Sequence, residues 1–487
     1  IYTDNYRSAR VTDTYILKGD GVEVWEPRFT YRGFRYAQVT GLPEAPTEQT
    51  LVARVAHTAS PWIGEFECSS DLIGEIQQNV RWGQRSNMHS VPTDCPQRDE
   101  RLGWMGDALI FVETGCWNMD WQRFLEKWMN DIEDSQSEAG AFTDVAPVLG
   151  GGPASPGWGD AGVVAPYTTW LYYADERILE SHYDAMVAWV EFMRERAPDN
   201  LYEREGYGDW IAVEGSPKKP IGAAYYYFST KLVAEIAEVL GREGDAAAYS
   251  ALAREIRDAF NAAYYDEATG QYPGGTQASY VLPLYMGLVP DDQRGRVEQN
   301  LLDKIAEDDY HPTTGFLGTA YLLPVLSEMG AHDVAARMIT QETYPSWGYM
   351  VRQGATTIWE LWNSDTAGPG MNSRNHFALG SVGRWFYEGL AGIRPDPQAP
   401  GFEHFEVAPE PGGGLTWAEA SYDSPRGEIH SRWEINGESF ELTVTVPPNA
   451  SATVIVPGED PAGEVDGADG VFEVPAGTWT FTSTWGA

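Results

Sequence analysis

A chain of 487 residues, 43% hydrophobic and 13% aromatic with 19 tryptophans, can bury a large core and has the length for about two to four domains. A formal charge of −39 and a pI near 4.4 repel polyanions, which excludes nucleic acid and anionic membranes as partners. No apolar run reaches the ~18 residues of a membrane span.

The chain starts at Ile1, with neither a methionine nor a signal-like segment, and reads as the middle of a larger polypeptide. A soluble protein is expected, cytoplasmic in preference to secreted. Residues 1 to about 60 alternate in strand fashion: Thr14-Tyr15-Ile16-Leu17, Val22-Glu23-Val24-Trp25, Gly33-Phe34-Arg35-Tyr36 and 52–57. So few strands cannot bury a sheet face alone and must lean on another domain. A partial β-sandwich segment is assigned to 1–62.

From about 64 to 395 the pattern turns helical. Leu232, Ile236 and Leu240 share one face, stopped by Gly241; Asp245 is placed to cap a helix carrying Tyr249, Leu252, Ile256 and Phe260. Helical segments recur around 71–89, 107–131, 166–195, 276–288, 291–306, 315–329, 332–342 and 376–391. Paired helices make either a solenoid or a toroid around a cleft. The absence of a fixed ~30–50-residue period favours a barrel with long aromatic loops at one end. From about 396 the chain is β-rich: Ile435-Asn436-Gly437 marks a tight hairpin, and 441–446, 453–456 and 477–481 are strands of an antiparallel sandwich. The helical unit is thus 63–395 and the last 396–487.

The irregular stretch 91–108 concentrates Asp94, Asp99, Glu100 and Asp107 with Arg98, Arg101 and Trp104. Its plain reading is a salt-bridged surface loop; its chemical one is a site where apolar walls and neighbouring charges split carboxyl pKa values. The run Asp94-Cys95-Pro96-Gln97-Arg98-Asp99-Glu100-Arg101-Leu102-Gly103-Trp104, then one residue, then Gly106-Asp107-Ala108, resembles the signature of bacterial α-L-rhamnosidases of the inverting (α/α)6-barrel kind. That resemblance implies an (α/α)6 catalytic barrel between an N-terminal β-sandwich remnant and a C-terminal β-sandwich. It implies a carbohydrate substrate bearing terminal rhamnose, and it aligns Glu100 with the family's general acid. Trp104 would raise the Glu100 pKa by excluding water, and Arg98 or Arg101 would oppose this on contact.

An inverting glycosidase needs a second carboxylate to activate water, typically ~6.5–9.5 Å from the first, whereas ~5–5.5 Å points to retention. Glu360 stands alone among apolar neighbours in Thr356-Thr357-Ile358-Trp359-Glu360-Leu361-Trp362, where burial is costly unless the charge is paired or used. The family motif Thr-Thr-x-Trp-Glu, followed later by Met-Asn-Ser and Asn-His, is matched here, with Met371-Asn372-Ser373 and Asn375-His376 downstream. The resemblance therefore makes Glu360 the general base and His376 a substrate contact. Leu361 and the run from Asn363 to Gly370 depart from the family's pattern.

Asp94 and Asp107 match carboxylates that hold sugar hydroxyls, although Asp107, just before a helical run, also suits a helix cap. Arg98 and Asp99 complete the polar set. Glycine-flanked Trp158 (with Asp160) and Trp210, together with Trp347 and Trp359, are candidates for the pocket wall, against the plainer reading of core packing. Cys68, Cys95 and Cys116 are too few and too irregular for a disulfide scaffold or a zinc site, and His182, His311, His332 and His404 lack ligand spacing. No metal and no other cofactor is expected. Two rivals remain: a lyase or hydrolase for another rhamnose-linked sugar in the same fold, and a non-catalytic sugar-binding protein.

Overall fold

A helix that is apolar all round belongs inside a protein, and one with a single apolar stripe belongs outside. The helical part of this chain sorts that way in the computed structural model, which describes residues 1–149 and 152–486. The even-numbered helices are α2 (Met105–Asn118), α4 (Ala161–Tyr173), α6 (Lys218–Val239), α8 (Gln277–Met286) and α10 (Phe316–Glu328). In chain order α2 touches α4, α4 touches α6, α6 touches α8 and α8 touches α10. Segment 378–390, a run of 3-10, α and π turns, meets both α10 and α2 and closes the ring. α2 buries every residue except Glu113.

Outside them lie α1 (Asp71–Asn87), α3 (Gln122–Asp134), α5 (Glu176–Arg194), α7 (Glu243–Tyr264), α9 (Arg294–Glu307) and α11 (His332–Ile339), with the short α12 (Trp347–Arg352) beside α1. Their stripes are narrow: α9 buries only Val297, Leu301 and Ile305. The result is an (α/α)6 barrel. Two of the expected helical stretches divide in two. Residues 107–131 break between Asn118 and Gln122, and 166–195 break at Ala174, whose φ of 54° stops α4. Asp245 does not cap α7; it sits in the first turn and accepts a hydrogen bond from Tyr183 Oη at 3.1 Å. No helix among the described residues is long and apolar enough to cross a membrane.

The C-terminal part is an eight-stranded sheet among the described residues, built from β1 (Gly64–Cys68), β2 (Ile393–Pro395), β3 (His404–Val407), β4 (Trp417–Ser424), β5 (Gly427–Asn436), β6 (Ser439–Ile455), β7 (Glu459–Gly463) and β8 (Val471–Thr484). β1 lies within the stretch read from sequence as helical, yet it pairs with β4, so the sheet takes one edge strand from ahead of the barrel. The expected hairpin forms, with Asn436 opposite Ser439 and Gly437, at a φ of 65°, opening the two-residue loop. β6 runs through both halves, pairing first with β5 and, after a register shift between Val446 and Ser451, with β3. The β3–β6 pair is parallel, so the sheet is not purely antiparallel as expected. The sheet meets the barrel at Trp117 of α2, whose ring stacks on Tyr387 at 4.9 Å and meets Tyr422 of β4 edge-on at 4.7 Å.

Residues 1–61 form no strand; one 3-10 turn, Asp4–Tyr6, is their only regular element. The alternating residues expected to build strands there stand in solvent, Ile16 at 85% and Val22 at 97% exposure, because no sheet edge pairs them. The segment instead lies along the loop that precedes α2. Arg101 covers the Tyr31 ring at 4.3 Å, Tyr31 stacks on His89 at 3.9 Å, and Ser8 N–H donates to Asp99 at 3.2 Å.

Candidate active site

The loop before α2 is pinched at its base. Asp94 N–H donates to Leu102 carbonyl at 3.0 Å, and Leu102 N–H returns to Asp94 Oδ1 at 2.8 Å. Gly103 then passes so close to Ala146 that a Cβ would lie 2.2 Å from its carbonyl oxygen. This path turns Asp94, Cys95 and Arg98 inward and leaves Glu100 at the mouth, its side chain 20% exposed.

The second loop, 354–377, is clasped on itself. Glu360 N–H donates to Ser373 carbonyl at 2.8 Å, Ser373 N–H to Glu360 Oε2 at 3.0 Å, and His376 N–H to Ile358 carbonyl at 2.9 Å. Ser373 Oγ donates to Gln97 Oε1 at 3.0 Å and ties the two loops together across 276 residues of sequence. Glu360 is thereby buried beside the first loop, with Cys95 Sγ at 3.7 Å and Arg98 Nη2 at 3.6 Å from Oε2. Arg98 Nη2 is also 2.5 Å from Glu100 Oε2. The facing oxygens of the two glutamates are therefore no further apart than those two contacts end to end, with the Arg98 guanidinium between them and paired with both.

Charges in this site are uneven. Burial, then the Glu100 charge, pushes Asp94 up to about 7. Burial also raises Glu100, but the Arg98 charge and hydrogen bond, with donation from Trp104 Nε1 at 3.1 Å, outweigh it and hold Glu100 below its ordinary value. Of the two opposing influences anticipated from sequence, Arg98 prevails. Of these two neighbouring carboxyls, Asp94 is therefore the one that keeps a proton to the higher pH.

Asp107, in the first turn of α2, is not a cap. Its Oδ1 meets His376 Nε2 at 2.9 Å, and burial raises its pKa despite that partner. His376 Nδ1 accepts the Ala378 N–H at 3.3 Å, which leaves the ring proton on Nε2, aimed at Asp107. Ligand atoms of Asp94, Cys95 and His376 lie within 4.8 Å of one another, a grouping able to hold a metal. Both ring nitrogens of His376 are already engaged, so an ion there would have to break one of those bonds.

The aromatic wall centres on a residue the sequence reading missed. Tyr207 meets Trp158 at 4.7 Å, Trp104 at 5.6 Å and Trp210 at 6.0 Å. The signal was present: Gly206 and Gly208, both at positive φ, flank it. Asp209 anchors this loop by accepting Gly315 and Gly318 N–H at 2.7 and 2.9 Å, at the start of α10. Gly106 lets Trp158 lie against α2, since a Cβ there would sit 2.4 Å from the indole.

Asp94, Arg98, Glu100, Trp104, Asp107, Glu360 and His376 are thus brought together, with Trp158 and Trp210 joined to them through Tyr207. Trp359 is buried next to Glu360, beneath the Arg374 guanidinium at 5.4 Å. Three candidates go elsewhere. Asp99 is exposed and bound to Ser8. Asp160 is fully buried, its oxygens taken by Gly157 N–H, Trp189 Nε1 and Ser229 Oγ, so it holds the Trp158 loop rather than joining the other carboxyls. Trp347 is core, its Nε1 donating to Leu379 carbonyl at 2.8 Å.

Three family models match the chain. The bacterial alpha-L-rhamnosidase 6 hairpin glycosidase domain covers residues 61–390, the C-terminal domain 392–471 and the concanavalin-like domain 1–57. An alpha-L-rhamnosidase of Streptomyces avermitilis is 44% identical over 99% of this chain and 48% of its own length. One of Formosa agariphila is 40% identical over 94% of this chain and 51% of its own. The chain spans about half the length of these curated relatives. The crystal structure of the Streptomyces avermitilis enzyme complexed with L-rhamnose superposes with a TM-score of 0.96, covering 99% of this chain and 48% of that one. That of the Dictyoglumus thermophilum enzyme, at 38% identity, gives 0.93 over 99% and 57%.

Proposed function

Because this chain belongs to the bacterial α-L-rhamnosidase family, we propose that it hydrolyses terminal non-reducing α-L-rhamnosides with inversion, using Glu100 as general acid and Glu360 as general base. The observation that carries this reading is the meeting of two glutamates from loops 260 residues apart in sequence at one arginine, beside Trp104. Asp94, Asp107 and His376 grip sugar hydroxyls; the complex of the Streptomyces relative with L-rhamnose supports a rhamnose-sized occupant.

The catalytic proton starts in the Asp94–Glu100 pair. At rest Arg98 keeps it on Asp94, and among the described residues Arg98 Nη1 lies buried without a partner. A sugar hydroxyl that engages this arginine weakens its hold on Glu100, and the shared proton moves to Glu100. Glu100 then passes it to the glycosidic oxygen as the bond from that oxygen to the anomeric carbon breaks. Water attacks the opposite face of the same carbon and gives its proton to Glu360. Inversion on this scheme needs Arg98 to leave the gap between the glutamates and admit the water.

The test is release of rhamnose from an aryl α-L-rhamnoside, with the first-formed anomer read by NMR. β-L-rhamnose is expected. The α-anomer would overturn inversion, an unsaturated product would indicate a lyase, and sugar binding without release would indicate a binding protein.

A further inference from the structure

Besides Arg98, two side chains touch the Glu360 carboxylate. Cys95 is wholly buried, and burial together with the Asp94 and Glu360 charges pushes its thiol well above the ordinary value. It stays protonated, so S–H donates to Glu360 Oε2 at 3.7 Å. The same oxygen accepts Ser373 N–H at 3.0 Å. A carboxylate oxygen has two lone pairs, so Oε2 is filled. Oε1 accepts Asn372 Nδ2 at 3.0 Å and, among the described residues, no other donor. Asn372 takes a left-handed φ of 58°, which asparagine tolerates better than most residues. That turn sends its amide to one oxygen while the next residue's N–H reaches the other.

We propose that Asn372 and Cys95 are positioning residues that clamp the Glu360 carboxylate, leaving Oε1 with the one open lone pair to which water delivers its proton. The proposal rests on Glu360 being the base. Each donor also favours the charged carboxylate, so removing one raises the pH at which the base becomes protonated.

The experiment measures the pH dependence of kcat and KM on an aryl α-L-rhamnoside for the chain and for N372G, N372D, C95A, C95S and E360Q. N372G keeps the left-handed turn and loses only the donor. Its acidic limb should move up by about one pH unit, the worth of one hydrogen bond to a charged group, with kcat falling about tenfold and KM nearly unchanged. N372D, which sets a carboxylate against Oε1, should move the limb further. C95A should move the same limb by a smaller step, and C95S, which retains a donor, should restore it. Limbs that stay in place in both N372G and C95A, with E360Q inactive, would overturn the clamp and leave the base assignment standing. An active E360Q would overturn both. If N372G does not fold, the C95A and C95S pair decides.

Discussion

Arg98 holds Glu100 by two contacts to the same oxygen, Nε at 2.9 Å and Nη2 at 2.5 Å from Oε2. This pair sets the resting charge of the candidate acid. Replacing Arg98 with Met, which keeps the bulk, should raise the Glu100 pKa and move the basic limb of kcat/KM up by about one pH unit or more. The same variant should lose at least ~10-fold in kcat/KM, since the buried charge facing the sugar goes with it. An unmoved basic limb would show that Arg98 does not govern the acid.

Glu100→Gln and Glu360→Gln each remove one proton-transfer group and preserve shape. Each should lower kcat by about 10²–10⁴-fold with little change in KM. Circular dichroism and Tm close to those of the parent chain would place the loss in chemistry. Parent-like rates in either variant would remove that residue from the mechanism.

His376 Nε2 donates to a buried carboxylate at 2.9 Å. His376→Ala leaves Asp107 without this partner, which should cost about 1–3 kcal/mol of stability and raise KM about tenfold. Denaturant unfolding and steady-state kinetics read the two effects separately. An unchanged KM would make the pair purely structural.

Gly106→Ala brings a methyl to 2.4 Å from the Trp158 indole. The helix gains propensity, but the ring or the helix has to shift, so about 1–3 kcal/mol should be lost and KM should rise as the wall moves. A more stable variant with unchanged KM would show that the Trp158 loop yields freely.

Four carboxyls titrate late: Asp94 and the partly buried Glu113 at about 7, Asp160 and Asp209 at about 6, with loss of solvent the largest cause in each. In the unfolded chain they titrate near ~4. Between those values the native state binds more protons than the unfolded one. Their contribution to stability is therefore greatest near pH 4, falls as pH rises through 6 to 7, and is level above that. Self-repulsion from a net charge of −39 acts in the same direction. Tm should be several degrees higher at pH 5 than at pH 8 in equal salt, and a Tm that rises over that range would contradict the assignment.

Much of this was legible in the residues themselves. Hydrophobic periodicity separated helical from β-rich parts because the period of each is a property of the local backbone. Gly437 specified its hairpin because few residues tolerate the positive φ it takes there. Glu360 stood out as a charge costly to bury without a partner or a use, while Asp94, Glu100 and His376 were singled out by the resemblance of their motifs to the family's.

Direction was another matter, and there only the tertiary structure decided. Asp160 and Asp94 are both buried aspartates on loops, yet one is consumed by Trp189 and Ser229 and the other lies beside Glu100. Trp347 and Trp104 are both loop-edge tryptophans, yet one donates to a core carbonyl and the other to the candidate acid. The alternation of residues 1–61 described strands that need a sheet edge, and no edge pairs them. Whether Arg98 or Trp104 would control Glu100 hinged on the path of the loop that carries all three, and both side chains turn to the same carboxylate. A sequence states which groups must find partners; which partner each one meets depends on how the barrel brings distant loops together, and no local pattern encodes that meeting.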